Sequence, residues 1–569
     1  MDHPTNPPGD PAVTPVTDSS GDPVPGSRRP RSGVRRRLRH RIPVSLRHNW
    51  RLVALCVAFL AICGGVFGTG TIRPYVVEAS AAGAEPVVVQ DIAGKKDLFD
   101  GSTSHEITLT FADESYRDML DEYFATGEKE YVEADLVIDG TRIPSVGIRL
   151  KGNSTLSGLT WNGQSRRQLG GGGPGMRQPG DLPEGGQRPE GAARPEGAPQ
   201  FGGGGAGPRG GMFGSLKGEE PENLPWLISF DEFVEGRRYQ GRSQIAVRPA
   251  AGTSTTLLNE ALAISLVGAA GEPTQRYAYS SFSVNGRSST PRLVVEYLDE
   301  GYAERLGNGV LYKSLASSGF TYKGEDQTQY GTDFKQVNKV GGKDLQPVID
   351  LIKWVEQSSD VEFAAGLADR LDVESFARYI ALQNILLNFD DMSGPGRNYY
   401  LWYDLDTKKF TVIAWDLNFA LSGDATAGPY DTIGMGFGPG RQRAQGQGQA
   451  GQGQPGQGQA GQTQAGQRPT GQGAAGRAAQ GVPRMGHVLK ERFLQTPDFK
   501  AVYEEQYRAL YRELLGDGTA TGLLNEIVTS YKHNKGADQA KIDAEATSLR
   551  TLLAARAKAL AANEVVSGA

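Results

Sequence analysis

Cysteine is almost absent: the only two, Cys56 and Cys63, sit inside one apolar stretch. The chain beyond that stretch has no disulfide and no thiol chemistry, so a packed core must stabilise it. Histidine is nearly as scarce. Only His105, His487 and His533 lie beyond the N-terminal segment, none at metal-ligand spacing with a partner, so no zinc site is visible. There is no G-x-S-x-G, no Walker A sequence and no dinucleotide fingerprint. Gly152-Asn153-Ser154-Thr155 puts a serine in a polar turn, with no histidine placed to suggest a triad. A net charge of −5 makes no case for nucleic acid.

Long apolar runs are also lacking, with one exception. Leu52 to Ile72 is 21 residues without a charge, long enough to span a bilayer as a helix. Ten arginines between Arg28 and Arg51 precede it. The positive-inside rule then predicts a disordered, cytoplasmic tail over 1–50, a single-pass transmembrane helix over 51–72 and a main domain outside the cell membrane. Ala79-Ser80-Ala81 has the form of a signal-peptide cleavage site, so a cleaved leader stays open. Either reading exports the main domain.

The 77 glycines and 32 prolines collect in tracts that cannot bury enough apolar surface to fold. Two of these, 164–222 and roughly 437–482, read as flexible insertions in surface loops, which closure entropy tolerates. Composition leaves open whether they are inert spacers or contacts with cell-wall polymer. After a linker over 73–102, an ordered domain is expected over 103–563. Alternation predicts strands at His105–Phe111, Tyr131–Ile138, Ser145–Leu150, Trp226–Phe230, Ser243–Val247, Tyr277–Val284 and Arg292–Tyr297. Asp139-Gly140 signals a hairpin. Gly309–Tyr312, Tyr399–Tyr403 and Phe410–Ala414 read as further short strands. Helices are predicted over Ala112–Thr126, Thr255–Val267, 344–357, 360–370 and 373–387, and throughout 488–563. Strands first and helices later make an α+β class.

What carries chemistry is a set of carboxylates. Asn388-Phe389-Asp390-Asp391 ends a helix, and a Gly/Pro loop leads to Asn398 and the first of two strands joined by Asp404–Lys409. Asp390 enters that hairpin and Asp416 leaves it, so antiparallel pairing brings Asp390, Asn398 and Asp416 together. Carboxylates and an amide oxygen suit magnesium, and a neighbouring carboxylate can accept a hydroxyl proton in phosphoryl transfer. Spacing alone equally allows Asp390 and Asp391 to cap a helix end or a turn.

Asn388-Phe389-Asp390, the loop, Asn398-Tyr399-Tyr400-Leu401-Trp402 and Trp415-Asp416-Leu417-Asn418 resemble the core signature of the spore-coat protein H (CotH) kinase-like family. That signature reads Asn-Trp-Asp, Asn-Tyr-Tyr-Leu-Tyr and Trp-Asp-Leu-Asp. Upstream, Arg149-Leu150-Lys151-Gly152-Asn153-Ser154, Val294-Val295-Glu296 and Gly309-Val310-Leu311-Tyr312-Lys313 resemble three further family elements in the expected order. The resemblance, that of a membrane-anchored bacterial member, implies an atypical protein-kinase-like fold with a β-rich N-terminal lobe and a helical C-terminal lobe. It implies ATP and Mg2+ as cofactors, and a protein Ser/Thr hydroxyl as phosphate acceptor. By analogy Asp390 would be the catalytic aspartate, with Asp416 and Asn398 holding metal. Glu260 would play the αC glutamate and Glu296 would meet adenine, while Arg149, Lys151 and Lys313 would face the nucleotide's phosphates. The second tract, which begins about 20 residues after Asp416, would gate substrate access. The family's lysine is missing from Leu224–Phe230, and ATP is scarce outside a cell. A non-catalytic adhesion or scaffold module on the same fold therefore competes with a kinase, and a metal-dependent hydrolase using Asp390, Asp391 and Asp416 is a third reading.

Overall fold

A computed structural model describes residues 90–153, 155–165, 216–249, 254, 256–434 and 486–568. The apolar run Leu52–Ile72, Ser154 and most of both Gly-rich tracts lie outside the described residues. Among the described residues no helix is long and apolar enough to cross a membrane.

Fifteen strands follow in chain order: β1 (Gln90–Ile92), β2 (His105–Thr110), β3 (Val132–Ile138), β4 (Thr141–Leu150), β5 (Thr160–Trp161), β6 (Gln164–Ser165), β7 (Trp226–Ser229), β8 (Arg237–Tyr239), β9 (Gln244–Val247), β10 (Tyr277–Val284), β11 (Thr290–Glu296), β12 (Gly309–Ser314), β13 (Phe334–Gln336), β14 (Tyr399–Asp404) and β15 (Phe410–Ala414). Seven of them close into a barrel in the order β10-β11-β9-β7-β4-β3-β2. Every neighbouring pair is antiparallel except β2 and β10, whose parallel pairing closes the ring. A second sheet has the order β13-β12-β14-β15.

Side-chain alternation divides the barrel strands between two cores. On β11, Val294 joins the barrel cluster with Leu109, Ile148, Trp226, Ile245 and Phe282. Its neighbours Leu293 and Val295 join a larger cluster built on the helices. A strand buried on both faces reads as a continuous apolar run, as Leu293-Val294-Val295 does. The helix Asp113–Ala125 adds Tyr116, Met119, Leu120, Tyr123 and Phe124 to the barrel cluster, a one-sided i, i+3, i+4, i+7, i+8 pattern.

The architecture is α+β, strand-rich in its first half and helix-rich in its second. The turn at Asp139-Gly140 forms as expected, with both residues at positive φ. Order begins before the expected boundary. Inside the segment read as linker, β1 pairs in parallel with β8, and Leu98 is fully buried in the barrel cluster. The first insertion is also narrower than its composition suggests. Leu216 is buried, Gly218 packs on Leu120 and Trp161, and Trp226 Nε1 donates to the Pro221 carbonyl at 2.9 Å.

The helix Leu258–Ala269 lies in the larger cluster with the helices Gln346–Gln357, Val373–Ile385, Pro497–Leu510, Thr519–Lys532 and Gln539–Ala561. The predicted helices are present with small shifts of their ends, except that 488–563 is not helical throughout: it divides into Val488–Gln495, Pro497–Leu510, Thr519–Lys532 and Gln539–Ala561, with breaks at 517–518 and 533–538. Ser359 and Glu362 form a reciprocal capping box that starts Asp360–Gly366.

Candidate active site

The β14–β15 hairpin pairs Tyr399 with Ala414, so the residues before β14 and after β15 meet at one end. Asp390 lies before the first strand in a loop fixed by its own side chains. Asn398 Nδ2 donates to Asp390 Oδ2 at 2.8 Å and to the Asp390 carbonyl at 3.1 Å. The Gly396 amide donates to Asp390 Oδ1 at 2.6 Å, and Asn388 Oδ1 accepts from the Asp390 amide at 3.3 Å. Burial, reinforced by the nearby Asp416 charge and opposed by the Gly396 amide, pushes the Asp390 carboxyl up to about 6.

The loop needs its glycine. A Cβ at Gly396 would stand 2.6 Å from Asp390 Oδ2 and 2.8 Å from Oδ1, so Gly396→Ala must displace the carboxylate. We expect this substitution to lower any Asp390-dependent turnover by about 10- to 100-fold, since ångström misplacement of a reacting group costs about that much. Steady-state kinetics beside a thermal melt checks that the loss exceeds the destabilisation.

Asp416 follows β15 with left-handed backbone, φ +57°. Leu257, Leu387 and Leu421 share that conformation, which costs a bulky residue roughly 1–3 kcal/mol and concentrates at functional sites. Leu257 starts the helix that carries Glu260, Leu387 leads into the Asp390 loop, and Leu421 follows the Asp416 turn.

Four cations gather at this end of the hairpin. Arg248, one residue beyond β9, grips both Glu260 oxygens at 2.8 and 2.9 Å and also bonds Asp416 Oδ1. Lys151 Nζ lies 5.3 Å from the centre of the Trp415 ring. Lys313 Nζ donates to Tyr297 Oη at 3.1 Å and faces the rings of Tyr297, Tyr400 and Trp415. Arg149 sits over Tyr131 at 5.2 Å and contributes to the field at Tyr297. Burial pushes Asp416 up, but Arg248, Lys151 and Lys313 outweigh it and hold its carboxyl below the ordinary range. Burial and the Arg248 charge lower Lys151 to about 8. Against burial, Lys313 and Lys151 bring the Tyr297 phenol down to about 8. Burial raises the Glu260 carboxyl, against the pull of Arg248. The cluster sets four cations around Asp416 and Tyr297, an arrangement of positive charge that favours phosphate oxygens.

Most of the residues singled out in the sequence meet here. Asp390, Asn398, Asp416, Glu260, Lys151, Lys313 and Arg149 belong to one constellation. Two are placed otherwise than expected. Glu296 is fully buried and paired with Arg242 at 2.9 Å and Arg305 at 2.7 Å, so its carboxylate serves an ion-pair network; its neighbour Tyr297 faces the cations instead. Asn398 has its amide nitrogen on Asp390, which makes it an orienting donor for that carboxylate. The residue that sequence reasoning missed is Arg248. It supplies the cation paired with the helix glutamate that no lysine in Leu224–Phe230 could supply.

A family model, CotH kinase protein, matches residues 212–560. The chain belongs to the CotH kinase family. The CotH match takes in Arg248, Glu260, Lys313, Asp390 and Asp416, while Arg149 and Lys151 lie upstream of it. Among the curated proteins none matches the chain.

The donor set fits a magnesium ion that also takes phosphate oxygens. The Asp416 side chain is 28% exposed, and the Asn418 amide oxygen, two residues on, is buried without a hydrogen-bond partner. Magnesium in such sites takes one or two protein carboxylates, with phosphates and water completing the octahedron. Among the described residues no cluster of three or more His, Cys, Asp or Glu forms an all-protein cage.

Proposed function

We propose that this CotH kinase is a Mg-ATP-dependent phosphotransferase acting on Ser/Thr hydroxyls of surface or exported proteins. The observation that carries this reading is the convergence of Arg248, Lys151 and Lys313 on Asp416, beside an Asp390 carboxylate held by Asn398 and the Gly396 amide. Asp416 and Asn418 would hold the metal, which when bound neutralises charge on the transferring phosphoryl group. Lys151, Lys313 and Arg248 would orient the phosphate chain and stabilise its developing charge. Asp390 would accept the proton of the attacking hydroxyl, with Asn398 and the Gly396 amide fixing the carboxylate's direction. The outward location in this reading rests on the arginine-flanked apolar run.

The raised Asp390 carboxyl sets a pH dependence. As a general base it must be ionised, so kcat should fall as pH drops through about 6. The stability sign is the opposite of a salt-bridged carboxylate's. Between the ordinary 3.8 and about 6 the folded protein keeps a proton that the unfolded chain has released. Stability therefore falls as pH rises through that window. Asp390→Asn should remove turnover and, having no carboxyl to titrate, should lose the fall in melting temperature that the parent shows as pH rises from 3.8 to about 6; a variant that keeps that fall shows another group to be its source.

The full-length protein in detergent, given labelled ATP and magnesium with exported proteins of its own cell, tests the main reading. Label on protein Ser or Thr supports it. One observation favours a non-catalytic surface module: Asp416 is already engaged by Arg248. No label together with no Mg-dependent thermal shift on adding ATP selects the module.

A further inference from the structure

The loop that holds Asp390 is fastened from a distant part of the chain. From the helix Val373–Ile385, Tyr379 Oη accepts from the Met392 amide at 3.3 Å. The segment Gly486–Lys490, reached only after the second Gly/Gln tract, touches the loop at three polar points. The Gly486 amide donates to the Ser393 carbonyl at 3.3 Å. Arg397 Nη1 donates to the Gly486 carbonyl at 2.9 Å. Lys490 Nζ donates to Asp391 Oδ2 at 2.7 Å, with the Asp391 side chain 6% exposed and that of Lys490 24%. Asp391 Oδ1 in turn accepts from the Ser393 amide at 2.7 Å. Between these contacts the His487 ring packs 4.5 Å from Phe320 and 5.6 Å from Tyr399.

Asp391 is the neighbour of Asp390, and its acidic charge acts on that carboxylate. A buried carboxylate stripped of its cation turns toward water or drags its backbone with it. Here that backbone is the one that aims Asp390. We propose that Lys490 is a positioning residue for the Asp390 loop, acting through Asp391, and that the chain returning from the second tract is thereby built into the active site. The inference deepens the kinase reading and rests on it for its catalytic consequence. The fastening itself does not depend on phosphate transfer.

The test is hydrogen exchange on the full-length protein, comparing the parent with Lys490→Met, Lys490→Arg and Asp391→Asn. Amides of 390–398 should exchange at least tenfold faster in Lys490→Met and Asp391→Asn, with Lys490→Arg near the parent. Peptides of Val373–Ile385 and Pro497–Leu510 should stay unchanged. In turnover assays Lys490→Met should lower kcat by an order of magnitude at constant KM for ATP, and Lys490→Arg should restore it. Loop exchange equal to the parent's overturns the proposal. Faster exchange spread equally over both helices also overturns it, because Lys490 is then a general structural residue. A loosened loop with unchanged kcat removes the catalytic role. A parent that transfers no phosphate defeats the kinase reading, whereas the exchange data still decide whether the segment positions the loop.

Discussion

Asp416→Ala should lose phosphate transfer by about 10^3-fold, the scale seen when a preorganised electrostatic contact to the reacting group is deleted. The loss should fall on kcat and on the magnesium dependence together, because Arg248, Lys151 and Lys313 all act on the Asp416 carboxylate. The fold should survive. Arg248 keeps both contacts to Glu260 after the substitution, so no buried charge is left unpaired. Alanine at 416 would still have to adopt the left-handed backbone, which it tolerates less well than aspartate, so Asp416→Gly, which relieves that strain, should melt no lower than Asp416→Ala. Single-turnover transfer at saturating ATP, titrated with magnesium, measures the effect. Transfer within tenfold of the parent would show that the cations alone carry the phosphate and that Asp416 only anchors Arg248.

The site was legible where its residues are held by local structure. Asp390, Asn398 and Asp416 sit at the ends of two consecutive strands, and a hairpin joined by Asp404–Lys409 has few ways to fold. Periodicity put Glu260 on a helix, and only the family resemblance pointed that helix at the site. What stayed hidden depends on partners distant in the chain. The barrel closes through β2 and β10, where Thr108 and Ser283 are partners 175 residues apart, and nothing local announces a parallel pair. The strand β1 is three residues whose only signal is its partner β8. Arg248 was hidden for a related reason: with the family's lysine missing from Leu224–Phe230, attention fell on Lys151 and Lys313, whereas the cation paired with Glu260 comes from the end of β9, next to β7 in the barrel. The surroundings of Glu296 were hidden too: its carboxylate pairs with Arg242 and Arg305, while its neighbour Tyr297 meets Lys313, and strand alternation alone names neither set of partners.

Arg248 carries the other large effect, and it acts on stability and function at once. Its guanidinium joins the helix Leu258–Ala269 to the Asp416 turn, and a second link runs parallel: Asn259 Nδ2 donates to the Asn418 carbonyl at 2.8 Å and to the Ala420 carbonyl at 3.1 Å. The backbone beneath is fixed as well, since Arg292 Nε donates to the Arg248 carbonyl at 2.7 Å. Arg248→Met should destabilise the protein by about 3–5 kcal/mol, the cost of stranding a buried carboxylate at Glu260. Adding Glu260→Gln should recover much of that, because a neutral amide no longer needs a cation. Nucleotide affinity should not return in the double variant, since the positive charge facing Asp416 is still missing. Arg248→Lys should be intermediate: it keeps one charge but cannot fork across two carboxylates. Chemical denaturation of the three variants, paired with ATP titration, separates the two roles. If the double variant regains ATP binding with stability, Arg248 is structural and Lys151 and Lys313 suffice for the phosphates. If stability returns alone, this arginine does the work that a strand lysine does in protein kinases.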